Sequence, residues 1–161
     1  MRFLLLAASL LAACASPATV SNPYVATAVL EVRRIALAPG SGALVEAVGA
    51  ELAQLGFDIV PPDAAAVLLA RADAEDAALR TDWLRALEPS GIDAVLVVDG
   101  PAPGTPQTGA ILRLLRVPDG GRIAEIRWRN RFGVPERLAA QVDRYRVPRE
   151  LARALADRLR S

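Results

Sequence analysis

The chain has 161 residues, 53% hydrophobic and 4% aromatic, enough for one domain around a core of Ala, Leu and Val with few rings. Its 19 basic residues are all arginine, set against 18 acids, and it contains no histidine and one cysteine. Near-neutral charge argues against a nucleic-acid binder, and the missing histidine removes a Ser-His-Asp triad and the usual zinc sites.

Arg2 opens an apolar run, Phe3 to Ala13, with the length of a secretory signal and short of the about 20 residues that a membrane-spanning helix needs. The run closes on Leu11-Ala12-Ala13-Cys14. This ending resembles a bacterial lipobox, which implies cleavage after residues 1–13 and acylation of Cys14. The alternative is an ordinary secretory signal followed by a free thiol. Several acyl chains hold a protein stably at a membrane where one chain does not, so Cys14 is expected to be an anchor. Ala15 rather than Asp follows it, which by the sorting rule of enteric-type bacteria implies an outer-membrane lipoprotein facing the periplasm.

Residues 14–29, with Ser16-Pro17 and Asn22-Pro23, read as a lipidated tether able to hold a domain tens of Å from the bilayer. The domain is expected over 30–161. Val32, Ile35, Ala36 and Leu37 form a short strand closed by Pro39-Gly40-Ser41-Gly42. Leu44, Val45, Val48, Leu52 and Leu55 recur at helical spacing, with Gly56 as the cap. Phe57 to Val60 is a second strand, and Asp63 is placed to cap a helix over Ala64 to Ala70. A helix from about Glu75 to Leu87 carries Leu79, Trp83, Leu84 and Leu87 on one side.

Ala94 to Val98 is apolar throughout, as in a strand buried on both faces. After a Pro-rich loop over Pro101 to Pro106, two strands flank Pro118-Asp119-Gly120-Gly121 as a hairpin, Gly109 to Val117 and Arg122 to Phe132. The second alternates: Ala124, Ile126, Trp128 and Phe132 on one side, Glu125, Arg127, Arg129 and Arg131 on the other. An amphipathic helix over Pro148 to Leu159 ends the chain. The order β-α-β-α-β-β-β-α predicts a mixed α/β (α+β) fold, a single mixed sheet of about five strands with helices packed on it.

Three motifs bear on chemistry. Gly40-Ser41-Gly42 sits where a dinucleotide-binding loop would, but Val45 stands where the third glycine belongs, and a helix-opening turn explains it. Asp73, Glu75 and Asp76 form the densest acid cluster, either an acid–base pair or acids facing a helix dipole. Arg127, Arg129 and Arg131, with Arg113 possible across the hairpin, form the candidate partner surface, because Arg forks onto carboxylates and phosphates. The competing reading of that face is a solvated edge guarded by charge. No metal site and no cofactor is expected.

Three segments resemble the curli-secretion lipoprotein (CsgG-like) group: Val32 to Pro39, Gly91-Ile92-Asp93-Ala94-Val95-Leu96-Val97-Val98, and the hairpin from Leu112 to Trp128. In the hairpin, Gly and Arg stand where that group has Thr and Glu. Related small folds occur in the amino-terminal domain of TolB and in the lipoprotein activators of peptidoglycan synthases. The resemblance implies a non-catalytic binding or assembly module tethered in the cell envelope, whose partner is another envelope protein or copies of itself. A carboxylate-dependent envelope hydrolase, a self-assembling secretion lipoprotein and a small-ligand carrier are the alternatives.

Overall fold

A computed structural model describes residues 19–20, 31–71, 81–99, 109–117, 119–129 and 136–160, with the backbone alone at 19–20, 81–83, 129 and 136–145. In chain order the elements are β1 (Thr19–Val20), β2 (Arg34–Leu37), α1 (Gly42–Gln54), β3 (Asp58–Val60), α2 (Pro62–Arg71) and α3 (Thr81–Leu87), which runs into a 3-10 turn at Glu88–Ser90. There follow β4 (Ala94–Asp99), β5 (Gly109–Arg116), β6 (Arg122–Arg129) and α4 (Glu136–Arg160). The strands form one mixed sheet in the order β1-β6-β5-β4-β2-β3. β2 pairs in parallel with β3 and β4, and the remaining neighbours are antiparallel, as the alternation and the hairpin signal predict.

Because β2 lies between β3 and β4, the chain steps one way across the sheet from β2 to β3 and the other way from β3 to β4. Crossovers between parallel strands keep a single hand, so this reversal sends their helices to opposite faces. α1 lies on one face, joined there by α4, and Val45, Val48, Leu52, Leu151 and Leu155 bury Ile35, Leu96, Leu112 and Ile126. α2 and α3 lie on the other, where Leu69, Leu84 and Leu87 meet Ala36, Val60, Val95 and Val97. β4 serves both cores: Ala94, Leu96 and Val98 point into the first, Val95 and Val97 into the second. Its apolar run therefore has no solvent-facing position before Asp99.

Local backbone chemistry sets the turns. Gly40 and Gly42 adopt φ of +76° and +77°, a region that side chains disfavour, so Gly40-Ser41-Gly42 is the turn that opens α1. At its other end Gly56 N–H donates to the Ala53 carbonyl (3.1 Å) and Phe57 N–H to the Leu52 carbonyl (3.2 Å), the paired bonds of a Schellman motif. Asp93 clips the start of β4 to β2, its Oδ2 accepting from the backbone N–H of Arg33 (2.9 Å) and of Arg34 (2.8 Å). The Asp in the Gly91-to-Val98 segment thus has a structural task.

Three boundaries differ from expectation. α2 starts at Pro62, whose fixed φ suits the first helical position, and Asp63 lies in the first turn instead of capping it. α4 starts at Glu136 and runs through Pro148, where the sequence predicted its beginning. A proline inside a helix removes one backbone bond and costs about 3 kcal/mol in isolation. Here Val147, Leu151, Ala152 and Leu155 are buried in the first core, and α1 receives Arg149 at Glu51 (3.4 Å) and Arg160 at the Leu55 carbonyl (3.0 Å). Within the stretch expected as tether, Thr19 and Val20 pair with Arg127 and Ile126 as an outer strand.

Leu96→Ala is expected to lower unfolding free energy by about 2–5 kcal/mol, since the strand cannot collapse into a gap with helices on both sides. Val67→Ala, at a half-exposed helix position, should change it by under about 0.5 kcal/mol. Asp93→Ala should cost about 1–3 kcal/mol by leaving the Arg33 and Arg34 amides, at the entry to β2, without their acceptor. Urea titrations of the three variants check all of these.

Candidate functional site

The helices on the second face cover β2, β3 and β4, and Leu115 of β5 packs at the margin of that cover. Beyond it, among the described residues, the same face of β5 and β6 carries charge. Arg113 stands directly across from Glu125 in the antiparallel register, and Arg127 follows two residues on along β6. Arg122 joins them although its sequence parity places it on the opposite side. A register irregularity at Leu114/Leu115 pairs Arg122 with Leu115 and Ala124 with Leu114, so one extra residue of β6 is accommodated between them. Ile123 and Ala124 consequently both pack against the first core, and Arg122 reaches the charged face.

Glu125 is the centre of this arrangement and the one charged residue among the described residues with a buried side chain, 3% exposed. Its Oε2 accepts from Arg113 Nε (3.1 Å) and from Arg122 Nη1; its Oε1 accepts from Arg127 Nε (2.9 Å) and Nη2 (2.8 Å). Arg113 also reaches Asp99 at the end of β4. Burial pushes the Glu125 carboxyl up, but the hydrogen bonds from Arg127, Arg113 and Arg122, with the Arg122 charge, outweigh that and hold it down at about 2. Three guanidiniums around one buried carboxylate, with Asp99 at the rim, leave a net charge of +1 (three positive, two negative). Arg127 is the most exposed of the three, at 57% of its side chain, and commits two of its nitrogens to Glu125.

The face expected from the alternation is therefore present at Arg113 and Arg127, with the guanidiniums already fixed by an internal acid. Arg129 ends β6, described in its backbone alone, and Arg131 lies outside the described residues. Cys14 and the Asp73, Glu75 and Asp76 cluster also lie outside them. Trp128 is buried in the first core with Ala124 and Ile126, the apolar side of the β6 alternation, and the Trp83 side chain is not among those described. Sequence reasoning missed Arg122, Asp99 and the central role of Glu125. The single acid opening the Glu125-x-Arg127-x-Arg129 alternation was the available signal for the last, while the bulge that recruits Arg122 leaves none.

Elsewhere a groove of about 590 Å³ runs between α1 and the start of α2, lined by Leu37, Gly49, Ala50 and Ile59, with Glu46 and Asp63 among its polar members. Among the described residues no group of three acids, cysteines or histidines is placed to hold a metal ion, and no helix is long and apolar enough to cross a membrane. The sequence matches no protein-family model, and a search among curated proteins finds no match.

The depressed pKa of Glu125 has a definite sign. Its folded value, about 2, lies below its ordinary 4.5, so its contribution is complete above about pH 4.5 and lost as pH falls through about 2. That contribution is on the order of 3 kcal/mol. Urea midpoints from pH 6 to pH 2 should fall more steeply for the native chain than for Glu125→Gln. At pH 6 that variant should be less stable by about 3–5 kcal/mol, because three arginines lose their counter-charge. Parallel pH profiles for the two chains would show that Glu125 does not carry the linkage.

Proposed function

We propose that this chain is a lipoprotein of the cell envelope, anchored through Cys14 at the outer membrane and facing the periplasm. Its domain acts there as a non-catalytic binding or assembly module for another envelope protein or for copies of itself. The observation that carries this reading is the β5–β6 face. It is a stretch of sheet with no helix over it among the described residues, presenting arginines in fixed positions. Guanidiniums held by an internal carboxylate lose little side-chain freedom on meeting a second acid, so their remaining donors bind at reduced entropic cost. The Leu-Ala-Ala-Cys ending supports the anchor, and the likeness to the curli-secretion lipoprotein group in three segments supports the assembly role.

Cys14→Ser should move the protein from the membrane to the soluble fraction, and unchanged retention after fractionation would refute the anchor. For the binding role, the tethered protein is crosslinked in its native envelope and the captured species are identified by mass spectrometry. Arg127→Gln/Arg129→Gln should reduce capture of a defined partner by about 10–100-fold, the equivalent of one lost charge-assisted contact. Capture that is specific but insensitive to this variant would place the contact on another surface.

A further inference from the structure

The two-residue strand β1 shortens the connection between Cys14 and the folded sheet. If the sheet began at β2, Arg34 would lie twenty residues beyond Cys14 and the chain between them would reach about 65 Å. Thr19 lies only five residues beyond Cys14, a reach of at most about 17 Å. Thr19 is paired with Arg127, so β6 comes within one strand spacing, about 5 Å, of that limit. The pairing also has a direction. β1 is antiparallel to β6, with Thr19 opposite Arg127 and Val20 opposite Ile126, so the chain enters β1 from the Arg129 end of β6. That end of the sheet holds the carboxyl ends of β4 and β6 and the first residue of β5, Asp99, Arg129 and Gly109. The hairpin at Asp119 and Gly120 and the 3-10 turn at Glu88–Ser90 lie at the opposite end.

We propose that β1 is a strap that seats this end of the sheet on the membrane, where the arginines at the carboxyl end of β6 meet anionic lipid headgroups. The proposal rests on the lipid anchor at Cys14. A short connection holds the surface at the bilayer, so that weak individual contacts act at high effective concentration. Anionic headgroups attract arginines only within about a Debye length, roughly 8 Å at physiological salt, so the attraction requires the close seating that the strap supplies. The charge segregation along the sequence agrees with this: acids dominate through Asp99 and arginines after it, and β6 belongs to the basic part.

The test uses the full lipidated protein reconstituted in phosphatidylcholine vesicles with about 30% phosphatidylglycerol, the anionic fraction that attracts basic surfaces. A fluorophore is attached at Gly109→Cys or at Glu88→Cys, and quenching by headgroup-nitroxide lipid is compared. The Gly109 probe should be quenched several-fold more strongly than the Glu88 probe. In Thr19→Pro/Val20→Pro, whose prolines cannot donate to the ladder, the difference should vanish while the protein still floats with the vesicles. Equal quenching of the two probes in the unaltered strap, with flotation intact, would overturn the seating and leave the anchor standing. Failure to float would refute the anchor and the seating with it. A difference as large in pure phosphatidylcholine would overturn the role of anionic headgroups.

Discussion

β4 has no free face. Its five apolar residues divide between two cores, and each core needs a helical layer to exclude water from it. The remaining architecture answers to that demand. Parallel pairing of β4 with β2 requires a long connection from β3, which carries α2 and α3 across the second face. The first face is closed by α1 and by a helix from the far end of the chain, so the domain is complete only when α4 has docked.

The charged face follows from where that cover stops. α2 and α3 lie over β2, β3 and β4, and the sheet continues by two hairpin strands that no described helix overlies on that side. Apolar residues there would leave a sheet surface open to association, and charge keeps it in water. Glu125 is nevertheless buried, because three arginine side chains lie around it and their stems screen it from solvent. An ion cluster of this kind is weak evidence for added stability, since desolvation offsets much of the attraction. Its clearer consequence is geometric. It fixes the guanidiniums on β5 and β6 in place and ties the two strands in one register.

A buried carboxylate shared among arginines also limits what the surface can offer a partner. The net charge of the cluster is small, so recognition here depends on the arrangement of N–H donors more than on long-range attraction. A partner acid has to approach Arg127 without displacing Glu125, and a membrane has to be brought close before its charge is felt. If Cys14 is lipidated as proposed, a strand beginning five residues beyond it would provide that close approach.

Periodicity determined much of this protein in advance. The strict alternation from Ala124 to Trp128, the turn residues at 119–121 and the uniform run at Ala94 to Val98 act through neighbours in the chain, and each formed the element its pattern predicts. The arginine face at 113 and 127 was legible for the same reason, as positions of like parity on paired strands. Tertiary structure alone decided the rest. Arg122 reaches Glu125 because a bulge resets parity, and a bulge depends on two strands together. Helix α4 passes through Pro148 because packing against α1 outweighs a local penalty that the sequence states plainly. Thr19 and Val20 become a strand because β6 presents an unpaired edge, a property of the assembled sheet that two residues cannot encode by themselves.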